Sequence, residues 1–349
     1  MKAWIWKGVN DLELDGHYPD PQAKPGWVVL KVLSAGVCST DVAIVTGQLD
    51  AGRPPAVLGH EICGEVVDVG DGVTAIRKGE RVVVETFMAC GWCPKCRSGN
   101  KHLCREAGEI GFPPHNGGYA EYVAVPQGCV RRVPDVMTDD EGAILEAAIC
   151  PFGRLYREGL VPGATVLVQG SGVAGLSFVQ AAKICGARKV IVAARNAHRL
   201  AESLKFGADV TVNVKEEDLE ARVMEETGGE GVDLSIDAAG VAPTIDAAVR
   251  CCAKGGKVML YGIPSDDVRV RFPVKEMIFR QITVSGGTSN ELAWVPLMEL
   301  IAAGRFNIRD MVTHHFAFED LPEAIRVVRE HPAGLIKAVL GFKSRKEEE

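Results

Sequence analysis

No apolar run in this chain reaches the roughly 18–20 residues that span a bilayer, so no membrane partner is expected. Positive charge is not in excess either. The formal net charge is −7, which argues against nucleic acid as a main partner, since that needs a basic patch. The first residues, Met1-Lys2-Ala3-Trp4-Ile5-Trp6-Lys7, lack the long apolar core and small-residue cleavage site of a secretory signal. A cytoplasmic protein is therefore expected. No fixed-period repeat is apparent. What remains, at 349 residues, 47% hydrophobic and 24% charged, is an ordinary globular composition and a length for about two domains.

Cysteine, by contrast, is plentiful. The count of eleven is odd, and without a secretory signal a disulfide framework is not expected. Cys63, Cys129, Cys185, Cys251 and Cys252 are isolated or flanked by apolar residues and read as small core residues. Cys90, Cys93, Cys96 and Cys104 follow the spacing C-x2-C-x2-C-x7-C. Four thiolates so close together can close a tetrahedron around Zn²⁺ with no open position, which makes a structural site. An iron–sulfur cluster is the competing reading. The polar, lysine-bearing loop favours zinc.

A second constellation is less specific. Leu58-Gly59-His60-Glu61 sets an imidazole beside a carboxylate, and Cys38 lies upstream in Gly36-Val37-Cys38-Ser39-Thr40-Asp41. Cys, His and a carboxylate are the donors of an open catalytic zinc site. A satisfied core histidine would look the same in sequence.

Residues 1 to about 150 carry short β-branched runs broken by Gly and Pro, which predicts a compact antiparallel barrel or sandwich. Thr138-Asp139-Asp140-Glu141 signals a helix start. Strand and helix signals then alternate, which predicts a parallel sheet with helices on both faces. Leu335-Ile336-Lys337-Ala338-Val339-Leu340 reads as a last strand, and the charged tail from Lys343 is expected to fray.

Within the alternating region, Val166-Leu167-Val168-Gln169 leads into Gly170-Ser171-Gly172-Val173-Ala174-Gly175 and then an apolar helix. This is G-x-G-x-x-G in its proper strand–turn–helix context, a dinucleotide fingerprint. The helix N-terminus would face the pyrophosphate. NAD sites place a carboxylate at the end of the next strand, for the ribose 2′-hydroxyl. Here that position is Ala194, followed by Arg195, with His198 and Arg199 a turn later. A missing carboxylate and nearby guanidinium groups favour NADP over NAD. A plain solvated helix face is the alternative.

With these residues placed, the chain resembles the zinc-containing medium-chain alcohol dehydrogenases, of the sorbitol and threonine dehydrogenase-like branch. Gly59-His60-Glu61, the four-cysteine lobe, the Gly170–Gly175 turn and Val312-Thr313-His314 carry the resemblance over essentially the whole chain. It implies an α/β protein: a GroES-like, β-rich catalytic domain over 1–152 with a structural zinc lobe at 88–106. A Rossmann, doubly wound parallel-sheet domain follows over 153–288, and 289–349 returns to the catalytic domain. Two zinc ions, NADP or NAD, and a homodimer or homotetramer are implied. The substrate would be a small alcohol or ketone.

The resemblance also implies roles. Cys38 and His60 would hold the catalytic zinc, with Glu146 or Cys150 as third ligand. Glu146 is favoured by its register to Pro162-Gly163, and Glu61 becomes an exchangeable or outer group. Asp41 would orient His60. Thr40 would pass the alcohol proton while hydride moves to the nicotinamide, which would sit near Ala239, Gly262 and Ile263. Ala43 stands where many relatives keep a relay histidine, and His115 is a candidate substitute. Phe87 stands where threonine dehydrogenases tend to carry histidine, which argues against L-threonine. Phe87, Met88 and Trp294 are candidates for an apolar pocket. The implied function is hydride transfer between a secondary alcohol, polyol or hydroxy-acyl compound and a nicotinamide. The rival is a non-catalytic nucleotide-binding or redox-sensing protein on the same fold.

Overall fold

A computed structural model describes residues 1–265, 267–288 and 291–342. The tail from Lys343 lies outside the described residues. The chain divides into two compact units, Met1–Ala147 with Met298–Gly304 and Ile308–Glu349, and Ala148–Leu297 with Arg305–Asn307.

The first unit is built on a seven-stranded sheet. Its strands run in the order Val312–Ala317, Lys337–Gly341, Trp27–Val37, Ile62–Val69, Arg81–Val84 and Val130–Arg132, with Tyr122–Pro126 also pairing with Trp27–Val37. Alternate residues Val28, Leu30 and Val32 are buried in one core with Ile62, Val66 and Val82, as a period of two requires. Full burial of each such side chain stabilises by about 1.5–3 kcal/mol. The expectation of a purely antiparallel architecture needs one correction. Val312–Ala317 and Lys337–Gly341 pair in parallel. The helix Leu321–Glu330 between them supplies the crossover that a parallel pair needs. Lys337–Gly341 then pairs antiparallel with Trp27–Val37.

The second unit holds a six-stranded parallel sheet. Its order is Val210–Asn213, Lys189–Ala194, Thr165–Gln169, Val232–Asp237, Cys252–Leu260 and Thr283–Gly286, or 3-2-1-4-5-6 in chain order. The order reverses beside Thr165–Gln169, and ligands bind at such a switch point. Every residue of that central strand is buried, as expected for a strand covered on both faces. No described helix is long and apolar enough to cross a membrane. Of the cysteines assigned to the core, Cys63, Cys129, Cys251 and Cys252 are buried. Cys185 is only partly so, because it caps the C-terminus of the helix Val173–Ile184.

Candidate active site and nucleotide site

The candidate metal donors predicted from sequence, Cys38, His60, Glu61 and Glu146, converge in the first unit. Cys38 follows the strand Trp27–Val37 directly and caps the N-terminus of the helix Ser39–Val45. Asp41, in the first turn, accepts a hydrogen bond from the Cys38 backbone N–H at 3.1 Å. This fixes the cap and turns the Asp41 carboxylate inward, where it is fully buried. Tyr119 Oη donates to Asp41 Oδ2 at 2.9 Å. Asp41 Oδ1 lies 3.4 Å from His60 Nδ1, so Nε2 is left for another partner. Burial pushes the His60 pKa down, but the Asp41 and Cys38 charges outweigh it and hold the imidazole well above its ordinary value. The Phe112 ring covers His60 at 5.1 Å between centroids.

Gly59 is required where it stands. Its φ is +93°, and a Cβ there would come within 2.7 Å of the Tyr119 ring. Glu61 is buried, and Lys337 Nζ donates to its Oε1 at 2.5 Å. A Cβ on Gly36 would fall 1.8 Å from Glu61 Oε2, so Gly36 makes room for this carboxylate. Glu146 opens the helix Leu145–Glu158 and accepts from Thr86 Oγ1 at 3.3 Å. Burial raises the Glu146 pKa. Donor atoms of Cys38, Asp41 and His60 lie within 4.8 Å of one another, and so do those of His60, Glu61 and Glu146. Cys150, on the same helix as Glu146, falls in the second unit. Thr40 Oγ1 accepts from Cys38 Sγ at 3.5 Å.

This donor set fits a metal. His60 Nδ1 and Asp41 Oδ1 face each other at 3.4 Å, which leaves His60 Nε2 free to ligate. Glu61 Oε2 is buried without a hydrogen-bond partner among the described residues, a costly state for a core carboxylate. The four-cysteine lobe fits zinc even more closely. Sγ–Sγ distances are 3.9 Å for Cys90–Cys96, 3.5 Å for Cys93–Cys96 and 3.6 Å for Cys90–Cys104. Zn–S bonds of about 2.3 Å in a tetrahedron put sulfurs about 3.8 Å apart. Backbone N–H groups of Cys93 and Glu106 donate to Cys90 and Cys104 sulfurs, each at 3.4 Å, and stabilise thiolates.

In the second unit the three fingerprint glycines divide the labour. Gly170 has φ +127° and makes the turn. A Cβ on Gly172 would meet nothing within 4 Å, so its backbone stays open to a ligand. A Cβ on Gly175 would sit 2.0 Å from Gly170 O, so only glycine lets the helix Val173–Ile184 pack this closely. Ser171 is buried in the turn, and Val173 and Ala174 form the first helical residues. Ala194 ends its strand, and Arg195 is exposed just beyond. Asn196 caps the next helix by accepting from the Arg199 N–H at 3.1 Å. Arg199 is buried, and burial lowers its pKa. At the end of the fourth strand, Asp237 accepts from Ala239 N–H and Gly240 N–H, both at 3.1 Å, and from Thr244 Oγ1 at 2.7 Å. The bend it holds brings Gly240 against Gly262, where a Cβ would lie 2.1 Å from Gly240 N. Ile263 follows with 71% of its surface exposed.

Several groups of the candidate sites escaped sequence reasoning. Lys337 had a signal, a lone charge in an apolar strand. Tyr119 and Asp237 had none that a single chain reveals. His115 and Met88 line a cleft of about 410 Å³ with Met1, Tyr18 and Trp27. Trp294 is buried in the second unit.

A family model for the alcohol dehydrogenase GroES-like domain matches residues 24–135, and one for zinc-binding dehydrogenases matches 174–303. The L-threonine 3-dehydrogenase of Pyrococcus furiosus is 33% identical over 97% of this chain and 97% of its own length. The alcohol dehydrogenase of Thermus sp. ATN1 superposes with a TM-score of 0.91 at 28% identity, covering 98% of this chain and all of its own. A Sinorhizobium meliloti 1021 protein, described as a zinc-binding dehydrogenase and bound to NADP, gives 0.89 at 30% identity, covering 97% and 98%. Fold, donors and relatives together define a zinc-dependent dehydrogenase of alcohols that uses a nicotinamide cofactor. The chain belongs to the zinc-containing medium-chain alcohol dehydrogenase family, in its threonine- and sorbitol-dehydrogenase-like branch.

Proposed function

We propose that this chain oxidises a secondary alcohol, polyol or hydroxy-acyl substrate with NADP⁺, and that Cys38, His60 and Glu146 hold the catalytic zinc. The observation that carries this is the convergence of Cys, His and carboxylate donors in two groups, Cys38–Asp41–His60 and His60–Glu61–Glu146, each within 4.8 Å and sharing His60. Zinc bound there supplies a Lewis acid that lowers the pKa of an alcohol. Asp41 orients His60 through Nδ1. Lys337 neutralises Glu61 and keeps that carboxylate as an outer or exchangeable group. Thr40 Oγ1 receives the substrate proton; its closeness to Cys38 supports that role. Ala43 offers no imidazole, so a proton passed on by Thr40 would need another acceptor than a side chain at that position. Cys90, Cys93, Cys96 and Cys104 hold a second, structural zinc. The proposed domains are 1–152 with 289–349, around 153–288; compactness alone divides the chain a few residues away, after Ala147 and after Leu297.

NADP is favoured over NAD because Ala194 presents no carboxylate to a 2′-phosphate and the exposed Arg195 can pair with one. Gly170, Gly172 and Gly175 take the pyrophosphate side, and Ala239, Gly262 and Ile263 the nicotinamide side. The test is a panel of alcohols and polyols assayed separately with NADP⁺ and NAD⁺. Arg195→Asp should weaken NADP(H) alone; equal loss with NAD(H) removes the 2′-phosphate role.

A second copy of this chain is the proposed partner, in a homodimer or a homotetramer built from it. Val274, Ile278 and Phe279, on the helix Val274–Arg280, are 62%, 68% and 77% exposed. Beside them Thr283–Gly286 is an edge strand. An exposed apolar helix next to an open sheet edge is a surface that needs cover. The chain is expected in the cytoplasm.

A further inference from the structure

Glu85 and Thr86 are neighbours just past the strand Arg81–Val84, and each reaches a different part of the first unit. Both are buried. Backbone bonds fix them in place: the Glu85 N–H donates to Cys129 O at 2.6 Å, and Thr86 O accepts from the Ile110 N–H at 2.9 Å. The Glu85 carboxylate faces the four-cysteine lobe, where Lys101 Nζ lies 2.5 Å from its Oε1. Arg131 Nη2, on the strand Val130–Arg132, holds Oε2 at 2.7 Å. Phe87, the next residue on, sets its ring 6.1 Å from that of His102, beside Lys101. Thr86 instead reaches the candidate zinc ligands: its hydroxyl donates to Glu146 Oε1 at 3.3 Å.

Lys101 stands between Cys96 and Cys104, on the short helix Lys101–Leu103, and its carbonyl accepts from the Cys104 N–H at 2.9 Å. A small lobe of this kind folds on its metal, so zinc on the four sulfurs sets where the Lys101 ammonium stands. Glu85 depends on that ammonium, because a buried carboxylate that loses a cationic partner is destabilised. A group that hydrogen-bonds a metal-ligating carboxylate fixes its orientation and so tunes the affinity for the metal. Thr86 is such a group for Glu146, and it is one residue from the anchor at Glu85.

We propose that Thr86 is a positioning residue that holds Glu146 in the catalytic zinc site, and that the Lys101–Glu85 pair anchors Thr86 to the four-cysteine lobe. The lobe then serves the catalytic metal as well as its own fold. The inference rests on the reading of Glu146 as a zinc ligand and adds the groups that set that ligand's place.

The test is zinc affinity, measured by chelator competition on the full chain, for wild type, Thr86→Val, Thr86→Ser and Lys101→Met. Thr86→Val keeps the shape and removes the hydroxyl. It should bind the catalytic zinc about 10- to 100-fold more weakly and keep the lobe zinc. Thr86→Ser should restore the wild-type affinity. Lys101→Met should weaken the catalytic zinc in the same direction, and combining it with Thr86→Val should cost no more than Thr86→Val alone. A Thr86→Val variant with wild-type affinity overturns the proposal. So does parallel loss of both zincs, the result of a purely structural role. Losses that multiply in the double variant overturn the route from Lys101 through Thr86. Glu146→Ala is the control. If it too keeps both zincs, the reading of Glu146 as a ligand falls along with the proposal; if it loses one while Thr86→Val binds as wild type, only the proposal falls.

Discussion

Glu146 and Cys150 stand four residues apart on one helix, and spacing along a helix could not choose between them as zinc ligand. The contact of Glu146 with Thr86 and its place beside His60 and Glu61 favour the carboxylate. Metal analysis should therefore find about two zincs per chain in the wild type and in Cys150→Ser, but about one in Glu146→Ala. The reverse pattern moves the ligand to Cys150. The Lys337–Glu61 pair makes a second residue-scale prediction. Removing one partner leaves a buried charge, so Lys337→Met should cost about 3–5 kcal/mol by urea denaturation. Adding Glu61→Gln should recover part of that loss, and simple additivity would contradict the pair. Residue roles were unevenly legible. His60 and the four lobe cysteines announce themselves by spacing. Lys337 and Tyr119 act through contacts made by distant chain segments, which no local pattern encodes.

Elements were more legible than contacts. The fingerprint glycines predict strand, turn and helix because each position has its own steric demand, and those demands recur in the structure. Thr138 and Glu141 form the expected capping box, with the Glu141 N–H donating to Thr138 Oγ1 at 3.2 Å. The helix Val274–Arg280 and the parallel pairing of Val312–Ala317 went unread. The first has an exposed apolar face rather than a clean amphipathic period, and the second depends on long-range pairing. The junction of the helix Ala242–Cys251 and the strand Cys252–Leu260 yields a pH prediction. Burial pushes the Cys251 thiol up to about 12 and Cys252 up to about 11, from 9.0. Below pH 9 both are protonated, folded or unfolded. Above it the unfolded chain releases protons that the native state keeps. Stability should thus fall as pH rises from 9 through 11–12, by up to about 1.4 kcal/mol per pH unit for each thiol. Urea midpoints that fall no faster for wild type than for Cys251→Ala would refute this.

At the scale of the molecule, the sequence implies a Rossmann sheet inserted into a GroES-like unit, and the chain's final strand does return to pair with Trp27–Val37. Quaternary structure is a separate question, carried by Val274, Ile278 and Phe279. Light scattering should find the wild type at twice the chain mass or more and Phe279→Glu at the mass of one chain. A monomeric wild type, or an unaltered variant, would remove that surface as the interface.

The zinc- and NADP-dependent dehydrogenase is tested most directly by initial rates of cofactor reduction by the zinc-loaded protein across secondary alcohols, polyols and hydroxy-acyl compounds, with NADP⁺ and NAD⁺ in parallel. Turnover with NADP⁺ above NAD⁺, abolished by chelation of the catalytic zinc, is the expected result. A fully metallated protein that binds NADPH yet turns over none of these substrates would contradict the dehydrogenase assignment, and would leave a nucleotide-binding protein on a dehydrogenase fold.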